Sequence, residues 1–380
     1  MTDVELIARV DAIAPIVLAG RDDAESNGRL SADVVEAMRR AGFTKLFAPR
    51  SLGGLEADPV TVSKITEGLA RLDIAAAWFV MVANGARLAA ARFPESMVEA
   101  VWGKQGESVD TIAAASGNNP FVGEPVEGGY VLRGSNGFVS GCHHADWLLS
   151  PCLIKGEPRL VMVPMCDAEI VDNWHVLGLR GSGSNDVRLD DVFVPASLTA
   201  GMNEMGSNKY YQGKLYKCPG RIVFATYVPA ALVLAERALA EVDALARNKT
   251  PYATDKKLKH RSIAQVKYGK ALATQRAAYG YYYAAMDECW ERANRGMEAT
   301  DDQKADLYLA GTHAVQSSAE VVRLAADVAG SSTIFDNSPL QRIVRDMEVF
   351  RHHGFANESR YGSVSQLKWG AELDYPLMLR

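Results

Sequence analysis

The sequence predicts an α+β protein in which a helical segment, a β segment and a second helical segment follow one another. The first segment repeats apolar residues at spacings of three and four, as one buried helix stripe requires. The middle segment has short apolar runs separated by glycine, proline, asparagine and aspartate, which is typical of strands. The 380 residues divide accordingly into a helical domain over 1–110, a β-barrel or sandwich domain over 111–215 and an antiparallel four-helix bundle over 216–380.

Two helix starts are visible in the N-terminal segment. Ser31 can cap a helix that ends at Gly42. Asp58 and Pro59 form a second start, in which an N-cap is followed by proline at the first helical position. From Val62 onward, apolar residues recur at steps of three and four, so we predict that one face of this helix is buried.

The β segment begins with a hairpin signal at residues 126–132, where two glycines separate apolar strand residues. Further apolar runs at 147–154, 159–165 and 186–195 predict three more strands. The stretch 200–217 has no periodicity, and we predict a mobile loop there.

The C-terminal segment is predicted to form long helices. Its seven-residue apolar repeat runs from Leu307 to Val328 and includes small residues that suit close helix packing. Asp301 can cap this helix and Gly330 can end it. Pro339 starts the next helix, whose apolar side continues to Gly354.

Composition and charge exclude several classes of protein. The formal net charge is −5 and the pI is about 5.9, so the chain lacks the positive surface that nucleic-acid binding needs. Its longest apolar stretch, residues 222–235, is shorter than the ~20 residues of a membrane span. The N-terminus lacks the basic start of a secretory signal. Five cysteines without a C-x-x-C pair predict reduced thiols, and we expect a cytoplasmic protein with no nucleic-acid or membrane partner.

Three short constellations could carry chemistry. Residues 135–147 hold glycines, Ser140 and two histidines at a strand end, and this pattern fits either a plain turn or a site. Residues 177–186 are rich in glycine but precede a strand. They therefore fail the test for a dinucleotide-binding loop, although they could lie flat against a planar ligand. His352 and His353 end the third constellation; on a helix they would point about 100° apart, so they cannot share one metal ion, and we predict no metal site.

Three motifs resemble those of the acyl-CoA dehydrogenase superfamily, and the resemblance extends over nearly the whole chain. Residues 46–54 look like the N-terminal P-x-x-x-G-G signature of that superfamily. Residues 178–195 are similar to the motif with which its β domain ends, and residues 342–346 resemble the R-x-x-R-D opening of its last helix. The resemblance implies an acyl-CoA dehydrogenase-like fold with the three domains given above.

Two branches of the superfamily compete for this chain. Dehydrogenases carry a glutamate base where this chain has Gly354, so a dehydrogenase or oxidase would need a relocated carboxylate such as Glu358. Two-component flavin-dependent monooxygenases, the 4-hydroxyphenylacetate hydroxylase-like group, carry a histidine that matches His353. The segment from Phe138 to Trp147 is similar to a motif of that branch. A catalytically silent member that serves as a binding or assembly subunit is the third alternative.

The resemblance also implies roles for individual residues. His353 would be the acid or base, and Ser140 would contact flavin N5. The residues that would hold the flavin are Ser116, Phe138, Val139, Ser140, Arg261, Gln265, Gly330 and Ser331. Those that would line the substrate pocket are Trp78, Asn84 and His144.

The activity implied by the monooxygenase branch is oxygenation of a small aromatic or heteroatom-containing substrate. Reduced flavin, as FMNH2 or FADH2, would react with O2 to give a C4a-hydroperoxyflavin, without a metal. A separate NAD(P)H:flavin reductase would supply the reduced flavin, and the loop over 200–217 would help to exclude water. The superfamily is usually tetrameric, so a homotetramer is expected in which Gly330 and Ser331 touch a neighbour's flavin.

Overall fold

In the computed structural model, which describes residues 3–107, 109–201 and 203–375, the predicted order of a helical, a β and a helical segment is confirmed. The α-helices are α1 (Val4–Asn27), α2 (Ala32–Arg40), α3 (Pro59–Leu72), α4 (Ile74–Ala89), α5 (Glu95–Trp102), α6 (Val228–Asn248), α7 (Ser262–Asn294), α8 (Asp301–Ala329), α9 (Pro339–Phe350) and α10 (Ser359–Trp369). The strands are β1 (Ala113–Ala115), β2 (Phe121–Val126), β3 (Gly129–Asn136), β4 (Trp147–Ile154), β5 (Glu157–Pro164), β6 (Glu169–Val171), β7 (Asp186–Pro195) and β8 (Thr199–Gly201). Residues 376–380 of the predicted bundle domain lie outside the described residues.

The helix starts that the sequence predicts in the N-terminal domain are confirmed. The Ser31 side chain accepts a hydrogen bond from the Val34 N–H, and the Asp58 carboxylate accepts one from the Thr61 N–H. These bonds satisfy amide groups that the first turn of a helix leaves without partners. The apolar helix α4 is buried on most of its surface, and it carries Trp78 into the centre of the protein.

The β domain is one mixed sheet with the strand order β6-β7-β3-β2-β4-β5-β8, in which β1 also pairs with β4. Neighbouring strands are antiparallel, except that β1 and β2 both run parallel to β4. The predicted hairpin joins β2 to β3, and Gly128 has the left-handed conformation that its turn requires, with φ 79°. The short strand β1 pairs with the first residues of β4, with Ala113 beside Trp147 and Ala115 beside Leu149.

Three long helices, α6, α7 and α8, form most of the C-terminal bundle. Lys267 near the start of α7 pairs with Asp327 near the end of α8 at 2.7 Å, which shows that these two helices are antiparallel. The cap of α8 is Thr300 and not the predicted Asp301, because Thr300 forms a capping box with Gln303. Asp301 becomes the first helical residue instead.

The fourth helix of the bundle is broken into α9 and α10. The apolar side predicted to continue to Gly354 ends with α9 at Phe350, because residues 351–358 form turns. The Gln316 amide on α8 donates to the carbonyl oxygens of Arg351 and Ala356, at 3.0 and 2.8 Å. These bonds hold the break against α8.

The segment predicted as a mobile loop is fastened to the N-terminal domain. Within residues 203–217, Lys209 pairs with Glu99 at 2.9 Å. The Asn208 amide donates to the Phe93 carbonyl at 2.9 Å. These contacts argue against a mobile loop, and they dock the segment on α5 instead of leaving it free to exclude water from a site.

Two helical stretches, Ile74–Arg92 and Gly220–Asn248, are long and apolar enough to cross a membrane by length and composition alone. The buried shares of their apolar windows are 72% and 89%. Helices in the core of a folded protein pass the same test, because burial against other helices also selects apolar residues.

Candidate active site

The turn after β3 presents an aromatic ring on a fixed backbone. Phe138 is 64% exposed and has a φ of 59°, which is uncommon for a bulky residue. Val139 beside it is fully buried and anchors the turn. Gly141 has a φ of 70°, and a β-carbon at this position would lie 2.8 Å from the Val82 side chain. The turn is therefore held in one conformation with the Phe138 ring on the outside.

The end of β1 adjoins this turn. The Ser116 hydroxyl donates to the Gly137 carbonyl at 2.7 Å and lies 3.0 Å from Asn136 Oδ1. The structure thus brings together the four residues of the β domain that were predicted to hold a flavin: Ser116, Phe138, Val139 and Ser140. Sequence reasoning placed them by motif, and the hydrogen bonds of Ser116 to Asn136 and Gly137 show that they meet.

Ser140 connects the β domain to the N-terminal helices. Its hydroxyl accepts a hydrogen bond from Trp78 Nε1 at 3.1 Å and lies 2.6 Å from the Ser184 hydroxyl. Ser184 in turn lies 2.8 Å from the Ser182 hydroxyl, so the glycine-rich segment 177–186 forms the other wall of this contact. The Ser140 N–H bonds to the Phe138 carbonyl at 2.9 Å within the turn.

His353 lies in the break between α9 and α10, and aromatic rings surround it. Its ring centroid is 5.1 Å from Trp78, 5.5 Å from Tyr227 and 4.9 Å from Phe355. Trp78 therefore touches both residues predicted to be catalytic, since its indole N–H bonds to Ser140 and its ring packs perpendicular to the ring of His353. The site lies where the three domains join.

The His353 imidazole is neutral across the physiological pH range. Burial, together with the nearby positive charge of Arg221, lowers the pKa of His353 to about 4. This imidazole therefore does not titrate near neutral pH as an unperturbed histidine does. The Phe355 N–H donates to His353 Nδ1 at 3.4 Å, which places the proton of the neutral ring on Nε2.

This low pKa predicts a loss of stability in acid. A histidine that is harder to protonate in the folded state stabilises the fold fully above pH 6.5, and that contribution is lost as the pH falls toward 4. Relative to a His353→Gln variant, the wild type should lose about 3 kcal/mol of unfolding free energy over this interval. Urea titrations from pH 7.5 to 4 measure the difference. The matched control is His352→Gln, which removes the exposed ring of the preceding residue; its unfolding free energy should depend on pH as that of the wild type does. The same pH dependence in the wild type and in His353→Gln would contradict the prediction.

Two residues predicted to line a substrate pocket are bonded elsewhere. The fully buried Asn84 amide bonds to the backbone at Phe43, Phe47 and Val80, so its geometry supports the N-terminal domain and not a pocket. His144 Nε2 bonds to the Leu30 carbonyl at 2.9 Å, and the ring packs edge-on against Phe79. Of the three predicted pocket residues, Trp78 alone contacts His353.

The remaining residues predicted to hold the flavin lie together at one end of the bundle, and all are exposed: Arg261, Gln265, Gly330 and Ser331. Gln316 contacts the backbone beside His353. Gly330 follows it by fourteen residues of helix, about 21 Å along α8. Within one chain, this cluster is therefore separate from His353.

Two of the recognised motifs meet in space. Asp346 accepts a hydrogen bond from the Leu179 N–H at 2.8 Å, and the Arg345 guanidinium donates to the Leu177 carbonyl at 2.6 Å. A β-carbon at Gly178 would lie 2.3 Å from the Arg345 carbonyl oxygen. From the sequence alone, Arg345 and Asp346 could have been an ordinary surface ion pair; in the fold they fasten α9 to the β domain.

Sequence reasoning missed Arg221 and Tyr227, which lie beside His353. Arg221 precedes α6 and is 8% exposed, and Tyr227 is fully buried. Arg221 directly precedes the apolar stretch 222–235 and Tyr227 lies within it, so the pattern predicts only a core helix at both positions. An arginine at the edge of a long apolar run was the signal that could have drawn attention to them.

Other candidate groups lie outside this cluster. Glu358, the relocated base of the dehydrogenase alternative, is exposed at the start of α10. Among the described residues, no group of three or more histidine, cysteine, aspartate or glutamate side chains could hold a metal ion.

Comparisons with known proteins agree on one family. Residues 7–93 match the family described as acyl-CoA dehydrogenase, N-terminal domain, and residues 225–358 match acyl-CoA dehydrogenase, C-terminal domain. Together the two matches span more than half of the chain. Indole-3-acetate monooxygenase of Pseudomonas putida is 29% identical over 352 residues, covering 90% of this chain and 88% of the relative.

Two further proteins are similar over nearly their full lengths. The flavin-dependent monooxygenase oxygenase subunit HsaA of Mycobacterium tuberculosis is 26% identical over 367 residues, covering 93% of this chain and 92% of HsaA. The solved structure of XiaF from Streptomyces sp. in complex with FADH2 and glycerol superposes with a TM-score of 0.90 at 22% identity, covering 98% of this chain and 96% of XiaF.

Proposed function

The chain belongs to the acyl-CoA dehydrogenase superfamily, and on this premise we propose that it is the oxygenase component of a two-component flavin-dependent monooxygenase. Its substrate class is small aromatic or heteroatom-containing molecules. The observation that carries the proposal is the neutral imidazole of His353 at the junction of the three domains, next to Gly354, which takes the position of the glutamate base of a dehydrogenase. The names of the relatives reported above support the same class of reaction.

The residues of the Phe138 turn fit a flavin. The exposed Phe138 ring offers an apolar face to a planar ring system, and the Ser116 hydroxyl beside it is a hydrogen-bonding partner for a polar ring edge. A bound reduced flavin, FMNH2 or FADH2, supplies the two electrons with which O2 is activated, without a metal. Ser140 then orients Trp78 through the bond to its indole N–H.

His353 acts through its Nε2 proton. A neutral imidazole protonated on Nε2 donates a hydrogen bond to an oxygen atom and can accept a proton only at Nδ1, which is engaged by the Phe355 N–H. The rings of Trp78, Tyr227 and Phe355 pack around the imidazole and limit the access of water to it. Acid–base assistance by a positioned side chain typically accelerates a reaction by about 10²–10⁴-fold.

The reducing partner is a separate NAD(P)H:flavin reductase. The chain lacks the strand–glycine loop–helix fingerprint of a nicotinamide site, and the relative HsaA is named an oxygenase subunit. We place the pair in the cytoplasm, where reduced cysteines are the rule.

A second copy of the chain completes the flavin site, within a homotetramer. Large apolar side chains surround the Arg261 end of the bundle: Tyr252, Ile263, Val266, Ile334 and Phe335 are 96%, 62%, 54%, 71% and 58% exposed. Such a patch is typical of a surface that a partner covers. Since the cluster that contains Arg261 is separate from His353 of its own chain, Arg261 would serve the flavin of a neighbour.

An Arg261→Ala variant tests this arrangement. Loss of a charge-assisted bond to a flavin phosphate should weaken binding of reduced FMN or FAD by about ten- to a hundredfold. Anaerobic titration measures the affinity, and light scattering measures the mass of the assembly. Arg295→Ala, at the opposite end of α7, should bind as the wild type does. A monomeric wild type with full flavin affinity would contradict the proposed arrangement.

The class of reaction is tested with reduced flavin and oxygen. Protein loaded anaerobically with FMNH2 or FADH2 is mixed with O2 and an aromatic substrate. The amount of oxygenated product and the amount of released hydrogen peroxide are then measured. A monooxygenase gives product in proportion to flavin oxidised. Bleaching of bound oxidised flavin by a CoA thioester would favour the dehydrogenase alternative, and absence of both signals would favour a silent subunit.

A further inference from the structure

Three serine hydroxyls form a chain of hydrogen bonds that begins at the turn after β3, and we call them the serine chain. The Ser140 hydroxyl lies 2.6 Å from that of Ser184, which lies 2.8 Å from that of Ser182. Ser140 is half-buried beside the exposed Phe138 ring, whereas Ser184 and Ser182 are 4% and 7% exposed. Ser140 is therefore the end of the chain that a ligand on the Phe138 turn can reach.

The protons of the serine chain are more numerous than its internal bonds. A hydroxyl donates one hydrogen bond and accepts two. The two links use two of the three protons, so one proton is left over. On Ser184 this proton would be buried without an acceptor among the described residues, which a folded protein normally avoids. The proton therefore belongs to one end of the chain, either Ser140 or Ser182.

Ser184 decides what Ser140 can offer to a ligand. Trp78 Nε1 already donates to the Ser140 oxygen at 3.1 Å and occupies one of its two lone pairs. If Ser140 donates its proton to Ser184, one lone pair remains, and Ser140 accepts a hydrogen bond from the ligand. If Ser184 donates to Ser140 instead, only the proton of Ser140 remains, and Ser140 is a donor.

The surroundings of Ser182 favour the first arrangement. Ser182 lines a small hollow that is also lined by His144. His144 Nε2 bonds to the Leu30 carbonyl at 2.9 Å, so Nε2 carries the proton and Nδ1 keeps its lone pair. Burial lowers the pKa of His144 and keeps its ring neutral. An acceptor thus lines the hollow at the Ser182 end, where the remaining proton is placed when Ser140 donates to Ser184.

Reduction changes the hydrogen-bonding character of a flavin at one ring nitrogen. N5 carries a proton in FMNH2, whereas in oxidised FMN it presents only a lone pair. An acceptor at Ser140 can bond to the N–H of the reduced ring. The same oxygen would face the lone pair of the oxidised ring, and neither group could donate.

We propose that Ser184 and Ser182 hold Ser140 as a hydrogen-bond acceptor and thereby make the site selective for reduced over oxidised flavin. Both are positioning residues, because they act on the flavin through Ser140. The inference rests on the proposed function, in which the chain receives reduced flavin from a separate reductase. Such a component has to retain the reduced form in the presence of the oxidised form.

Ser184→Ala tests this selectivity. The variant leaves the Ser140 proton without an acceptor in the chain, so that Ser140 offers a proton to the ligand. The affinity for FMNH2, measured by anaerobic titration, should fall about tenfold, and the affinity for oxidised FMN should stay the same or rise. A tenfold change in the ratio of the two affinities lowers the two-electron midpoint potential of bound FMN by about 30 mV. Equilibration with a reference dye measures that potential.

Two further variants complete the experiment. Ser182→Ala keeps the pair of Ser140 and Ser184 but removes the acceptor for the Ser184 proton. It should shift the ratio in the same direction by a smaller amount, and it keeps the proposal testable if Ser184→Ala fails to fold. Ser318→Ala is the matched control: this serine on α8 is 1% exposed and donates to the Ala314 carbonyl at 2.7 Å. It should keep the ratio and the potential of the wild type.

The serine chain would lose its proposed role if Ser184→Ala weakened binding of FMNH2 and FMN equally or changed neither. A wild type that binds FMN as tightly as FMNH2, or binds neither, would overturn it as well. Oxygenation of aromatic substrates is measured separately. Selectivity that depends on Ser184 without oxygenation would overturn the proposed function alone, whereas oxygenation without that dependence would overturn this inference alone.

Discussion

Replacing His353 with alanine is expected to lower the rate of substrate oxygenation by about 10²–10⁴-fold. The imidazole is the polar side chain that the break between α9 and α10 presents to Trp78, and its Nε2 proton has no replacement in alanine. Binding of reduced flavin should change little, because the residues that would hold the flavin are on the β domain and on α7 and α8. Single-turnover product formation after mixing with O2 measures the loss.

His352→Ala is the control for this experiment. His352 precedes His353 directly, but its side chain is 66% exposed and lies 4.0 Å from Glu348 on the surface. Its removal should leave oxygenation within about twofold of the wild type, as for a surface change. Full activity in His353→Ala would remove the assigned acid–base role. A loss that is the same in both variants would indicate a structural effect of the break.

The second large effect is expected for Gly178→Ala. A β-carbon would lie 2.3 Å from the Arg345 carbonyl oxygen and 2.6 Å from the Asp346 backbone nitrogen. Backbone atoms cannot rotate away as a side chain can, so α9 must move from the β domain. We expect a loss of about 3 kcal/mol or more in unfolding free energy. Oxygenation should fall with it, because α9 leads directly into His353.

Chemical denaturation of the purified variant measures the loss, and Gly280→Ala is the matched control. A β-carbon at Gly280, in the middle of α7, would meet nothing within 4 Å. The alanine there should stabilise the helix by about 0.5–1 kcal/mol, because glycine is a poor helix former. Gly178→Ala with wild-type stability would show that the close approach of the two motifs is not required.

The sequence identified the superfamily and the branch because motif residues carry local requirements. Ser31 and Asp58 are caps, and Gly128 and Gly141 meet a left-handed backbone, so each is constrained by its immediate neighbours. Apolar periodicity in turn located the domains. Sequence reasoning failed where the outcome depended on partners distant in the chain. The loop over 200–217 lacks periodicity, yet pairs such as Lys209 with Glu99 fasten it.

The environment of His353 shows the same difference between what local motifs predict and what distant parts of the chain decide. Its position followed from the motif, whereas its charge state did not, because burial and Arg221, which precedes it by more than 130 residues, set its pKa. Asn84 was assigned to a pocket by position, but its three bonds to the backbone give it a structural role.

The sequence by itself determined the order of the domains, the motif residues and the presence of an imidazole at His353, next to a glycine at the expected position of a dehydrogenase base. The tertiary structure alone decided that this imidazole is neutral, that Trp78 links it to Ser140, and that Arg221 lies behind it. The physical reason is that helix-capping hydrogen bonds and apolar periodicity act over a few residues, whereas desolvation, charge and long-range hydrogen bonds depend on everything that packs around a group.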